Sequence, residues 1–367
     1  MSGLAARISR TCAALRAYAD APLYILMSGG VDSTAAALLA LSAGLRPLGV
    51  TMRNAESTSA IREAASACDR LDIPALAFDL REDFERLVAH PFREAYLRGE
   101  TPNPCTICNP AIKFGLLWER IAEHARRSGE NAFRVMSGHY AITRETPHGV
   151  ALWRGTNRAK DQSYFLCMLP IMRVERLVLP LGEYEKHETR EIVRALSGGD
   201  DTLRAVAEKP ESMDICFHAT ADYRSTIADS PGPILDPTGR VVGNHKGISR
   251  FTLGQRRGLG IASTEPLFVI EIRAEERAVV VGTRAQAMTR EVRVRGVNVL
   301  APDAYGNDAA LCGKIRSQME PAPCRISIRN DEAVALFDAP VFAPAAGQYL
   351  ALYDGERLAA GGRIVRP

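Results

Sequence analysis

The chain has 367 residues, with 46 Lys and Arg against 43 Asp and Glu for a formal net charge of +3. That length holds two or three domains with real cores, and so small a net charge names no partner class by itself. The apolar runs are strand-sized, and Met1–Asp20 carries Arg7, Arg10, Arg16 and Asp20 in place of a signal peptide's unbroken apolar core, so a soluble, cytoplasmic protein without a membrane span is expected.

In chain order, Leu23-Tyr24-Ile25-Leu26-Met27 reads as a short buried strand and Thr34–Leu41 as an Ala- and Leu-rich helix. Between them stands Ser28-Gly29-Gly30-Val31-Asp32-Ser33. A strand, a glycine turn and a helix start make an anion site: glycines let the backbone approach phosphate oxygens, serines donate, and the helix dipole adds partial positive charge. A lone Gly-Gly is usually a plain turn, but six residues in this setting point to a nucleotide. No lysine follows the glycines, unlike a Walker loop, and an aspartate stands there instead. That suits attack on an α-phosphate while pyrophosphate is held, with Asp32 near a magnesium ion.

Pro47–Met52 predicts a second strand, Ser59–Leu71 a helix, and Ile73–Phe78 contains a third short strand. Glu82–Arg98 is a charged amphipathic stretch with a break expected at Pro91, and Gly99–Pro110 reads as a loop. Ala111–Arg127 is helical by pattern, and Phe133–Met136 is a strand ending at Ser137-Gly138-His139-Tyr140. The alternation implies an α/β fold with a doubly wound parallel sheet, whose ligands sit beyond the strands' carboxyl ends. The first glycine loop, Met52 and Gly138 all fall there. Ser197–Asp201 looks like a connector, and beyond about residue 232 short Val- and Ile-rich strands argue for a small barrel or sandwich.

The eight cysteines are too sparse for a disulfide scaffold. Cys105 and Cys108 form a Cys-x-x-Cys in the proline-stiffened run Thr101–Asn109, just ahead of a helix. Such a pair is half a zinc site or a redox pair. Cys216 is a third candidate, whereas Cys12, Cys68, Cys167, Cys312 and Cys324 sit among apolar neighbours and read as small buried hydrophobes. His139 reads as a hydrogen-bonded residue at a strand end, and His218 has no histidine at ligand spacing. Arg240–Arg295 holds eleven Lys and Arg against five Glu, which is either a solvated face or a footprint for nucleic acid.

These segments together resemble the tRNA-specific 2-thiouridylases of bacteria and mitochondria. Met27–Ser33 is similar to that family's pyrophosphate loop, and Thr101–Asn109 with Ile112-Lys113-Phe114 to its catalytic-cysteine loop. Gly138-His139-Tyr140, Lys160–Leu166, Ile215-Cys216-Phe217 and Thr252–Gly260 follow in family order. The resemblance implies a PP-loop ATPase domain of the adenine nucleotide alpha hydrolase type over residues 1–203. A central tRNA-binding domain over 204–281 and a C-terminal β-barrel over 282–367 would follow. It implies that ATP adenylates the C2 oxygen of the wobble uridine and that persulfide sulfur then displaces AMP.

By position, the resemblance places ATP on Leu26 to Ser33 (with Gly29, Gly30 and Val31), Met52 and Gly138, and magnesium on Asp32. It makes Cys108 the nucleophile and Cys216 the persulfide carrier. Asn103, Pro104, Cys105, Lys160, Asp161, Gln162, Arg316 and Ser317 would meet tRNA. Cys105, Cys108 and Cys216 could alternatively ligate a [4Fe-4S] cluster. The implied partners are tRNAs for glutamate, glutamine and lysine, together with a cysteine desulfurase or sulfur-relay protein. The chain itself would be a monomer. The chain departs from the pattern after Met52, at Lys209-Pro210-Glu211-Ser212, and at Arg316-Ser317. A synthetase adding an amine to an adenylated carbonyl would explain the glycine loop but leave the cysteines idle, and a non-catalytic RNA binder would leave Asp32, Cys108 and Cys216 without use.

Overall fold

A computed structural model describes residues 2–54, 58–210, 216–217, 227–329 and 332–366. Contacts divide the chain into two units, Met1–Glu85 with Cys108–Met213, and Arg86–Ile107 with Asp214–Pro367.

The first unit is built on β1 (Leu23–Leu26), β2 (Leu48–Arg53), β3 (Ala75–Asp79), β4 (Arg134–Met136), a hairpin of β5 (Ala141–Thr146) and β6 (Gly149–Arg154), and β7 (Leu177–Val178). Five of these form one sheet in the order β3-β2-β1-β4-β7, with every neighbour parallel. The chain runs outward from β1 through β2 to β3, then returns to place β4 on the other side of β1. That reversal makes the β1–β4 edge the switch point, where a parallel sheet opens a crevice for ligands. The Val31–Ser42 helix, which starts at this edge, is buried along most of its length, with Ala35, Ala36, Ala37, Leu39 and Ala40 fully covered. An apolar surface on all sides demands a core position. Ser2–Leu15, unassigned by its sequence, is also helical and contributes Cys12 and Leu15 to that core.

Two expectations change in detail, and proline explains both. Pro91 does not break its stretch: it sits in the first turn of the His90–Leu97 helix, where a missing N–H costs nothing, and a π-helical turn over Glu85–Ala89 precedes it. The loop expected over Gly99–Pro110 becomes helical at Pro104–Cys108 and continues as the π-helix Asn109–Leu116. Pro110 there lies inside helix, where its ring crowds the carbonyl four residues back and the wider turn relieves the clash.

In the second unit, β8 (Gly232–Leu235), β9 (Val241–His245), β10 (Phe268–Arg273) and β11 (Ala278–Gly282) form a sheet in the order β10-β11-β8-β9. Ile234, Phe251, Val269, Val279 and Val281 close its core. Six further strands, β12 (Met288–Val299), β13 (Ala310–Lys314), β14 (Ala322–Arg329), β15 (Glu332–Phe342), β16 (Tyr349–Asp354) and β17 (Arg357–Ile364), pair in the order β12-β15-β14-β13-β16-β17. The β12–β17 pairing closes them into a barrel, so the barrel expectation holds and the sandwich does not. Closure leaves no free edge among these strands. The tight Asp354-Gly355 turn takes Gly355 to φ 58°, as a two-residue hairpin connection requires.

Candidate active site

At the switch point the glycine turn leads directly into the Val31–Ser42 helix. Its N-cap is Gly30, which offers no side chain to the first-turn amides. Those donors therefore face outward for an anion. The serines brace the turn: Ser33 Oγ donates to Gly30 O at 3.1 Å and lies 3.2 Å from Ser28 Oγ. Gly29 adopts φ 72°, and a Cβ there would stand 2.5 Å from the backbone of Glu63. Gly138, at the end of β4, would place a Cβ 2.8 Å from the backbone carbonyl carbon of Asp32. Glycine is required at both positions because backbone approaches backbone. Met52 lies at the carboxyl end of β2, in register with Phe78 of β3.

Asp32, in the first helical turn, is the loop's only charge. Its Oδ1 accepts from Lys186 Nζ at 2.6 Å and from Tyr140 OH at 2.8 Å. The Tyr140 hydroxyl also lies 2.9 Å from Thr189 Oγ1, and Lys186 lies 5.5 Å from the centre of the Tyr140 ring. On the other side of the turn, Lys209 Nζ donates to Gly29 O at 3.0 Å and to Glu63 Oε2 at 2.7 Å. Arg190 donates to the carbonyls of Ala207 and Lys209 and so fixes the base of that lysine. Lys186 and Arg190 both belong to the Lys186–Leu196 helix. This helix delivers two of the groups that organise the loop, and its residues were not read as functional from the sequence. A signal was present: lysine at a helix start opposes the dipole and calls for an anion nearby.

The thiols divide by exposure. Cys105 and Cys216 are exposed and Cys108 is buried. Asn103 caps the Pro104–Cys108 helix, its Oδ1 accepting from Cys105 N at 3.1 Å and Thr106 N at 3.2 Å. The strand of loop before it is tied to the barrel through Thr101 N to Ala346 O and Gln348 Nε2 to Thr101 O. Cys108 is followed by Asn109, whose Nδ2 donates to Phe165 O at 3.0 Å while its buried Oδ1 has no partner among the described residues. Phe217, next to Cys216, packs edge-on to Phe92 with ring centres 5.6 Å apart. Burial pushes the Cys68 thiol up to about 11 and those of Cys167 and Cys324 up to about 12, so these three stay protonated and unreactive at neutral pH. Cys12 is likewise buried, while Cys312 is partly exposed. His139 shares a proton with Ser137 Oγ at 2.8 Å, as a strand-end histidine should; His218 lies outside the described residues.

The residues expected to meet tRNA do not share one environment. Asp161 is buried and accepts from Gly155 N, Ser163 N and Ser163 Oγ, each at 3.0 Å, with Arg154 3.6 Å away. Gln162 pairs through its side chain with Tyr140 N and through its amide with Tyr140 O. Gln162 thus braces Tyr140, while Asp161 ties Gly155 to Ser163. Lys160 is half-buried. Arg316 donates to Phe342 O and Ala343 O at 2.8 and 2.7 Å and lies by the Phe342 ring, so its guanidinium braces the barrel; Ser317 follows at partial exposure. Of the basic stretch, Arg240, Arg273, Arg293 and Arg295 are paired with carboxylates. Lys246, Arg256, Arg257, Arg277 and Arg290 are exposed.

Three family models match the chain in order: a tRNA methyl transferase HUP domain over residues 22–220, a tRNA methyl transferase PRC-barrel domain over 224–283, and an aminomethyltransferase β-barrel domain over 289–364. The tRNA-specific 2-thiouridylase MnmA of Syntrophotalea carbinolica is 39% identical over 357 residues, covering 93% of this chain and 98% of its own. That of Chloroflexus aggregans is 38% identical, covering 95% and 99%. The chain belongs to the tRNA-specific 2-thiouridylase family. Among solved structures, the NMN synthetase of Francisella tularensis is similar at 16% identity and a TM-score of 0.33, over 56% of this chain and 75% of that one, too slight a likeness to carry an argument.

Among the described residues, no group of three or more His, Cys, Asp or Glu is placed to hold a metal ion. Cys105 and Cys216 belong to one unit and Cys108 to the other. The described residues of this 2-thiouridylase also include no helix long and apolar enough to cross a membrane.

Proposed function

We propose that this 2-thiouridylase converts the wobble uridine of tRNA to 2-thiouridine, using ATP at Ser28–Ser33 and sulfur carried by Cys216. The observation that carries the reading is the uncapped helix start at Gly30, sited at the switch point and pressed close by Gly29 and Gly138. It suits a polyphosphate, and family membership supplies the acceptor. In the first step the uridine O2 attacks the α-phosphorus of ATP, the bond to the bridging oxygen breaks, and pyrophosphate leaves. The carbonyl oxygen, a poor leaving group, becomes part of an adenylate that departs as AMP.

In the second step the terminal sulfur of a Cys216 persulfide attacks C2 and expels AMP, leaving Cys216 joined to the base through an S–S bond. The Cys108 thiolate then attacks the Cys216 sulfur; that bond breaks, its electron pair stays with the sulfur on C2, and a Cys108–Cys216 disulfide remains. A thiol reductant returns both cysteines to thiols, and a cysteine desulfurase or relay protein reloads the persulfide. Asp32 offers a carboxylate at the mouth of the cradle, the hard oxygen donor that magnesium takes, and magnesium there would screen the phosphate charge. Asn103 and Cys105 would face the target base. Lys160 with the exposed Lys246, Arg256 and Arg257 would contact the tRNA backbone. Glutamate, glutamine and lysine tRNAs are the substrates proposed.

Mass spectrometry of nucleosides from tRNA incubated with the protein, MgATP and a persulfide donor tests this. The wild type should form 2-thiouridine, while Cys108→Ser and Cys216→Ser should lower the rate by at least about a thousandfold, on the scale of losing a covalent catalyst. Thiolation that survives both substitutions rejects the assignment. Iron analysis of anaerobically prepared protein belongs beside it, because activity strictly proportional to bound iron would replace the persulfide route with the cluster.

A further inference from the structure

The loop Ser28–Ser33 contains one charge, and it is negative. A triphosphate entering this cradle meets the Asp32 carboxylate with no lysine in the loop to offset the repulsion. The fold supplies a cation from 154 residues away in sequence, since Lys186 Nζ lies 2.6 Å from Asp32 Oδ1. Its side chain is 16% exposed and that of Asp32 is 35% exposed, so the pair sits at the cradle's wall with one side open.

Stability alone is a poor reason for a lysine there. Lys186 opens the Lys186–Leu196 helix, whose capping box already uses Glu185 and Glu188. A cation at a helix start is repelled by the dipole, and an acid or neutral residue would serve that helix better. The lysine is instead held outward by Asp32 and by the Tyr140 ring, and Tyr140 is itself fixed by Thr189 one turn along the same helix. An ammonium on a four-carbon stem has three donors and can swing between acceptors, which a guanidinium fork does less readily.

We propose that Lys186 is the polyphosphate-binding cation of this loop: it holds Asp32 until the nucleotide enters, then turns its ammonium to the pyrophosphate end and leaves the carboxylate to the metal. The inference rests on the placement of ATP at Ser28–Ser33. It adds a binding group and an order of events, with the Lys186–Asp32 pair broken by the arriving phosphate.

Calorimetric titration of the full chain with MgATP, magnesium pyrophosphate and AMP tests it without any tRNA. Lys186→Met should weaken ATP and pyrophosphate by at least about tenfold, the scale of one charge-assisted hydrogen bond, and AMP by less than about threefold. Lys186→Arg should restore part of the loss, since it keeps the charge but turns between acceptors less readily. Equal losses for all three ligands would make Lys186 a structural residue and overturn the proposal, as would unchanged pyrophosphate binding. Asp32→Asn gives an independent arm should the methionine variant fold poorly. It frees Lys186, so metal-free pyrophosphate should bind as tightly as to the wild type or more tightly, and the gain from added magnesium should shrink. Weaker metal-free binding in that variant also overturns the proposal, as does a wild type that binds neither ATP nor pyrophosphate. Thiolation is not read in any arm, so Lys186-independent ATP binding would leave the thiolation assignment standing.

Discussion

His139 follows Gly138 at the mouth of the cradle and stacks at a tilt on Phe114, ring centres 5.7 Å apart. Burial, with Lys113 beside it, pushes its imidazole down to about 3 from 6.5, so it is neutral at physiological pH and no general acid. The sign for stability follows directly. Below pH 6.5 the unfolded chain takes up a proton that the folded chain refuses until about pH 3, so stability is full above 6.5 and falls as pH drops through that window. His139→Gln should flatten this acid slope by about 1–2 kcal/mol between pH 6.5 and 4.5, read from urea midpoints at several pH values. An unchanged slope would move the acid sensitivity to His245, which burial also pushes down. The strand-end reading of His139 was available from Ser137-Gly138-His139-Tyr140 alone, but its neutrality was not, because Phe114 and Lys113 reach it only through the fold. The same limit hid Lys186 and Lys209, 154 and 180 residues from their loop partners. Asp161 shows the converse: its charge looked available to RNA until the fold enclosed it with Ser163 and Arg154.

Among elements, the parallel strands and the glycine loop were legible because a short apolar strand, Gly-Gly and an Ala-rich helix each carry a local signal. The Cys-x-x-Cys segment was read as loop because prolines dominate it, yet Pro104 begins a helix and Pro110 widens one. Proline at a helix start is permitted, and only the cap distinguishes that case from a loop. Asn103 is that cap, and its position before Pro104 was the available clue. Asn103→Ala should cost about 1 kcal/mol of stability and slow thiolation by about tenfold, the rate equivalent of a like loss of positioning, since Cys105 and the helix that carries Cys108 would lose their anchor. Asn103→Asp keeps an oxygen acceptor for the two amides and should retain both properties. Thermal unfolding and single-turnover thiolation of the two variants are the measurements. An aspartate variant as slow as the alanine one would show that the amide group itself meets the base.

For the whole molecule, the two units have separate cores, one around Ile25, Leu39 and Met136, the other in the barrel around Val294, Phe337 and Leu350. The cradle residues from Ser28 to Ser33, Gly138, Tyr140, Lys186 and Lys209 all belong to the first unit, whereas the exposed cations Lys246, Arg256 and Arg257 belong to the second. A ligand stabilises only the structure it binds, by about 2.7 kcal/mol when present at a hundred times its dissociation constant. MgATP alone should therefore slow hydrogen exchange at the amides of residues 28–34 and 137–140 by up to about a hundredfold, on the scale of that stabilisation. The same experiment should leave β12–β17 unchanged. Adding tRNA should extend protection to residues 246–257, and this second effect should fade with salt as counterions compete for the phosphates. Protection of the barrel by MgATP alone, equal to that of the loop, would show instead that nucleotide binding is felt as one event across both units. The first outcome assigns activation to one unit and the RNA contacts of residues 246–257 to the other, so that substitutions at Lys186 and at Arg256 should add independently in their effects on kcat/KM.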